Sequence, residues 1–121
     1  MIKLTEIMGA KNFWVLPNST IIPTDDHLGW FTNNIKSKFF IDDDGFPTTE
    51  DGAIADEYDV YNEAFNMGFV RLVKPIHGSA LIIDYARNKP PTQKQFKSIK
   101  DFAIDNQWQL YDSITKRHFD L

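Results

Sequence analysis

Cysteine is absent from the 121 residues, which removes disulfide frameworks, thiol nucleophiles and thiolate metal sites together. No apolar run approaches the roughly 20 residues that a membrane-spanning helix needs. The opening MIKLTEIMGAKN places Glu6 inside its only apolar stretch and reads as no signal peptide, so location is expected in a cell's cytoplasm or a virion. Walker A, GxGxxG and GxSxG patterns are all missing, and no cofactor is expected. Glycine and proline number only six each, against ten Phe, four Tyr and three Trp. With 42% hydrophobic residues, that composition excludes a chain disordered throughout, a collagen and a coiled coil. A chain of this length buries roughly two thirds of its extended surface, enough for one core and one domain.

The net charge of −4 is unevenly spread. Residues 1–24 carry +1, residues 25–63 carry −9 and residues 64–121 carry +4. Net acidity argues against general nucleic-acid binding, which depends on phosphate neutralisation. The basic C-terminal half, with Arg87, Lys89, Lys94, Lys97 and Lys100, keeps that function as an alternative.

Along the chain, Phe13-Trp14-Val15-Leu16 suits a buried strand, and Thr20-Ile21-Ile22 returns from a Pro17-Asn18-Ser19 turn until Pro23 stops it. A helix over about 26–36 follows, capped by Thr24, Asp25 or Asp26, with Leu28, Phe31 and Ile35 on one face. Residues 42–55 read as an exposed, mobile acidic loop. Asp56 starts a helix over 56–67 with Tyr58, Tyr61, Ala64 and Phe65 on one face, and Gly68 stands at its C-terminal cap. Residues 69–74 and 79–85 pair as a hairpin through His77-Gly78. Thr92 and Gln95 form a capping box for a helix over 92–106. A final strand occupies 108–111, and the tail 115–121 is expected to fray. The expectation is a single α+β domain ordered over about 12–112, in the order β-β-α-loop-α-β-β-α-β. Its antiparallel sheet comes from the two hairpins and the C-terminal strand, with the helices packed on one face.

Three histidines, at 27, 77 and 118, lack the spacing of a helical metal site. Asp42-Asp43-Asp44-Gly45 fails the EF-hand register, since the first ligand position falls on Phe40, and no metal is expected. His27 follows Asp25 and Asp26, and a carboxylate there, or Asp84 from the run LIIDYA, would orient its imidazole for hydrolysis. The competing reading is a partly buried histidine at a helix N-terminus, with Asp84 on the solvent face of its strand. Aromatic residues near element ends give the binding signal. Phe46, with Asp42, Asp43, Asp44 and Trp30, is the expected partner-binding set, and the preferred function is a non-enzymatic protein-binding module whose partner is another protein or a second copy.

FWVLPNSTIIP, His27 on a short helix, EAFNMGFVRLV, a hairpin and TQKQFKSIKDFA together resemble small proteins of phages and prophages. Phe69-Val70-Arg71 is similar to a GW(I/V)RV strand of that group, with phenylalanine replacing its tryptophan. The resemblance spans about residues 12–111. It implies a viral accessory or virion-associated setting and carries over no catalytic residue.

Overall fold

The computed structural model describes residues 10–35, 40–41, 47–49 and 52–121. Eight strands and three helices occur among them. Strands β1 (Lys11–Val15), β2 (Ile21–Thr24), β5 (Val70–Lys74), β6 (Ala80–Asp84), β7 (Gln109–Asp112) and β8 (Arg117–Phe119) form one sheet in the order β2-β1-β5-β6-β7-β8. The short β3 (Phe40–Ile41) and β4 (Pro47–Thr48) pair separately. The helices are α1 (His27–Asn34), α2 (Glu57–Asn66) and α3 (Gln93–Asp105). The molecule is an α+β domain with a mixed sheet.

Side chains alternate across a strand, and at the end of β1 the buried Phe13, Trp14 and Val15 make both sides apolar. Phe13 and Val15 join Val70, Leu72, Leu81, Ile83, Tyr85 and Leu110 on the face that Ile99 and Ala103 of α3 cover. Trp14 points the other way and packs with Phe69, Phe31 of α1 and Val60, Ala64 and Phe65 of α2. The helices therefore lie on both faces of the sheet, not on one as expected. A strand apolar on both sides has no face to give to water, so each side needs a cover.

The expected all-antiparallel sheet is also corrected, because β7 runs parallel to β6. The 13-residue α3 carries the chain back across the sheet before β7 begins, the usual route to a parallel neighbour. The tail read as frayed instead supplies β8, antiparallel to β7. Asp112 fixes that turn by accepting the Ile114 and Thr115 N–H groups at 2.8 and 3.0 Å, and Phe119 meets the Phe96 ring edge-on at 5.1 Å. Pro23 does not stop β2 but sits within it opposite Phe13, tolerated because β2 is an edge strand. Within the stretch read as an exposed loop, β4 pairs with β3 and Thr48 bridges Ile54. Half of that stretch, with Asp42, Asp43, Asp44, Phe46, Glu50 and Asp51, lies outside the described residues.

Local signals elsewhere appear as read. Asp56 starts α2, with Asp59 completing a reciprocal cap that the sequence reading did not name, and Thr92 and Gln95 form the capping box read for α3. Gly68, at φ 91°, ends α2 with its N–H on the Phe65 carbonyl, while the Phe69 N–H reaches the Ala64 carbonyl. In the β5–β6 hairpin, Gly78 alone takes the positive φ expected of the His77-Gly78 pair.

Candidate functional site

The hairpin register sets Arg71 opposite Asp84 on the face away from α3. Arg71 Nη1 lies 3.3 Å from Asp84 Oδ2, and both side chains are partly exposed, at 24% and 30%. Above them runs a stripe of α2 in which Tyr58, Tyr61, Asn62 and Phe65 recur at helical spacing. The Arg71 guanidinium sits 4.3 Å from the Tyr61 ring centre, and the Phe65 ring stacks on Tyr61 at 6.4 Å. That guanidinium–ring contact is a cation–π pairing. Between stripe and sheet opens a cleft of about 310 Å³, with Glu57 also on its wall. Tyr58 is 78% exposed.

Behind the cleft lies His27, only 3% exposed. Its ring meets Trp14 edge-on at 4.7 Å, and the Trp14 indole N–H donates to the His27 carbonyl at 3.1 Å. His27 Nε2 lies 3.3 Å from the Leu72 carbonyl oxygen, an acceptor only, so Nε2 carries the proton. Nδ1 is buried without a partner. Burial, reinforced by the Arg71 charge, lowers the imidazole pKa to about 4, against the opposing pull of the Leu72 bond and Asp26. His27 is therefore neutral at pH 7.

The three carboxylates read as its candidate partners are engaged elsewhere or face water. Asp26 caps α1 by accepting the Leu28 N–H at 3.0 Å, Asp84 holds Arg71, and Asp25 is exposed. Gly29 leaves room for the cap, since a Cβ there would stand 2.6 Å from Asp26 Oδ2. The structure brings His27, Asp26 and Asp84 into one neighbourhood without a hydrogen bond from the imidazole to a carboxylate. A buried neutral ring bonded to the main chain has no path to a dissolved substrate.

Trp30 is half-buried against the α1–α2 core. Of the basic set, Lys94 and Lys97 are exposed on α3 with Asp101 and Asp105, which dilute their field. Lys100 lies 6.0 Å over Phe96, Lys89 Nζ donates to the Asn66 carbonyl, and Arg87 is exposed after β6. Among the described residues no group of three or more His, Asp or Glu side chains is placed to hold a metal ion. None of their helices is long and apolar enough to cross a membrane.

Sequence reasoning missed the cleft because it assigned Tyr58, Tyr61 and Phe65 to a core face and overlooked Arg71. Counting the hairpin register from Gly78 would have set Arg71 opposite Asp84. It also missed the buried bond from the Tyr85 hydroxyl to Asp112 Oδ2 at 2.7 Å. Burial first, and then that bond, push the Tyr85 pKa up to about 12. Compared with protein-family models, curated proteins and solved structures, the chain matches none.

Proposed function

We propose that the chain is a non-enzymatic protein-binding module and that its partner docks at the α2 cleft. The observation that carries this reading is Tyr58, 78% exposed at the mouth of a cleft whose walls hold Tyr61, Phe65 and Arg71. Tyrosine and arginine dominate the residues that anchor protein interfaces, since each offers a large, fairly rigid surface with a polar tip. Ile54, 66% exposed, is a second exposed apolar side chain three residues before α2. The buried His27, bonded to the Leu72 carbonyl and to no carboxylate, gives no support to the hydrolase alternative, and the mixed charges around Lys94 and Lys97 give little to the nucleic-acid one. The resemblance to small phage and prophage proteins supports a viral or host protein as the partner.

A photo-crosslinking residue placed at position 58 tests the reading, with one at position 97 on exposed α3 as the control. Expressed in a bacterial host, the first is expected to give a discrete adduct of fixed mass and the second none. Equal labelling from both positions, or no adduct from position 58, would overturn it.

A further inference from the structure

Resting on that docking reading, we propose that the segment entering the cleft presents a lysine or arginine side chain, seated between the Tyr58 ring and the Glu57 and Asp84 carboxylates. Charge makes the first argument. The cleft wall carries two carboxylates and one guanidinium, and that guanidinium is already paired to Asp84. Arg71 is the one basic residue among those lining the cleft, and α2, which forms its upper wall, contains none. The mouth of the cleft is therefore negative, which draws in a cation and repels an anion. A phosphate or carboxylate would have to displace Asp84 from Arg71 while facing Glu57.

Shape and precedent make the second. Arg71 already lies on one tyrosine of the stripe, so this geometry accepts a guanidinium over a phenol ring. The neighbouring ring, Tyr58, has no described ring or cation against it and is open to a second such contact. At about 310 Å³ the cleft suits one long side chain and is too small for a folded element. A cation entering there gains the Tyr58 face and the Glu57 charge together, in a site half-shielded from water by Phe65 and the strands.

Backbone amide NMR of the ¹⁵N-labelled protein tests this with three blocked hexapeptides. One carries two arginines around a tryptophan, and the others replace the arginines with glutamine or glutamate. The arginine peptide is expected to shift the amides of 57–62, Arg71 and Asp84 saturably, at least about tenfold more tightly than the glutamine peptide. The glutamate peptide is expected to leave them in place. Glu57→Lys and Tyr58→Ala should each weaken the arginine peptide about tenfold, with the rest of the spectrum unchanged. A glutamine or glutamate peptide that moves the cleft amides as tightly overturns the basic-segment proposal and leaves the docking reading standing. Shifts spread equally over Asp101, Asp105 and Asp120 overturn it as non-specific charge attraction. If no peptide moves the cleft, the proposal falls, and the cross-link from position 58 then decides the docking reading by itself.

Discussion

On the α3 face of the sheet, the buried polar side chains have partners. Gln95 Nε2 donates to the carbonyls of Leu16 and Gly68 while its Oε1 accepts the Thr92 N–H, tying the start of α3 to the ends of β1 and α2. Tyr85 binds Asp112, and Lys74 Nζ donates to the Pro75 and Gly78 carbonyls. On the opposite face, His27 Nδ1, Arg71 Nε and Thr24 Oγ1 are buried without partners, and Ser19 Oγ in the β1–β2 turn is the fourth such atom among the described residues. An unanswered buried polar atom costs about 1–3 kcal/mol. One face is therefore finished as a core, and the other gives up stability to keep a histidine, an arginine and two tyrosines beside a cleft. Polar chemistry that folding alone does not require is concentrated on the α1–α2 side.

Deleting a central buried side chain from each face is the largest way to probe that contrast. Trp14 is fully buried and touches His27, Phe31, Tyr61 and Phe69, so Trp14→Ala should cost about 4 kcal/mol in urea unfolding. Leu81→Ala on the α3 face should cost about 3 kcal/mol. The two should differ more sharply in chemistry than in energy. Loss of Trp14 admits water to His27 and should raise its pKa from about 4 toward 6.5 by NMR titration, whereas loss of Leu81 should leave it in place. An unchanged His27 in Trp14→Ala would break the account of what depresses it.

The faces should also fail at opposite ends of the pH scale. The unfolded chain protonates His27 near 6.5 and the folded chain only near 4, so as pH falls through that window the unfolded state binds the proton first. The His27 contribution is whole above about 6.5, drains between 6.5 and 4, and amounts to about 3 kcal/mol. Carboxylates titrate in the same range, so the measurement is the difference between the wild type and His27→Gln, whose amide can still donate to Leu72. Tyr85 works the other way. Its folded pKa is raised to about 12 from 10, so its contribution is whole below 10 and lost as pH climbs to 12, and Tyr85→Phe should flatten that alkaline limb. A common pH profile for both variants would dissolve the distinction between the faces.

What could be read from the sequence follows the range of each interaction. The Thr92–Gln95 capping box, the Asp56 start of α2, the Gly68 stop and the β5–β6 hairpin are written within a few residues and were legible. Phe13-Trp14-Val15-Leu16 is legible as a buried strand, and its unbroken apolar run also implies cover on both faces, since neither side of it suits water. The parallel β6–β7 pair was implied by a helix between two strands. Phe119 gave no local sign of β8, because its reason for ordering is Phe96, 23 positions earlier in the chain. The candidate site was the least legible part. His27 sits under Arg71 and Leu72, 44 and 45 residues away, and nothing near His27 in the chain announces that its bond goes to a carbonyl.

The smallest expected effect is the one that separates cleft from core on the α1–α2 side itself. Tyr58 and Tyr61 are three residues apart on the same stripe, but Tyr61 is partly buried beneath Arg71 and has its pKa raised, with burial the main cause. Tyr58 stands in water. Tyr58→Ala removes no buried area of note and no partner among the described residues, so stability should change by no more than about 0.5 kcal/mol. A slight gain is as admissible as a slight loss, since alanine is the better helix former. Tyr61→Ala takes away the ring that Arg71 and Phe65 both rest on, and should cost about 2–3 kcal/mol. Thermal unfolding of the two variants side by side is the check. Equal losses would mean that Tyr58 is part of the packing after all, and the cleft would then be a crease in the core with no free tyrosine to offer.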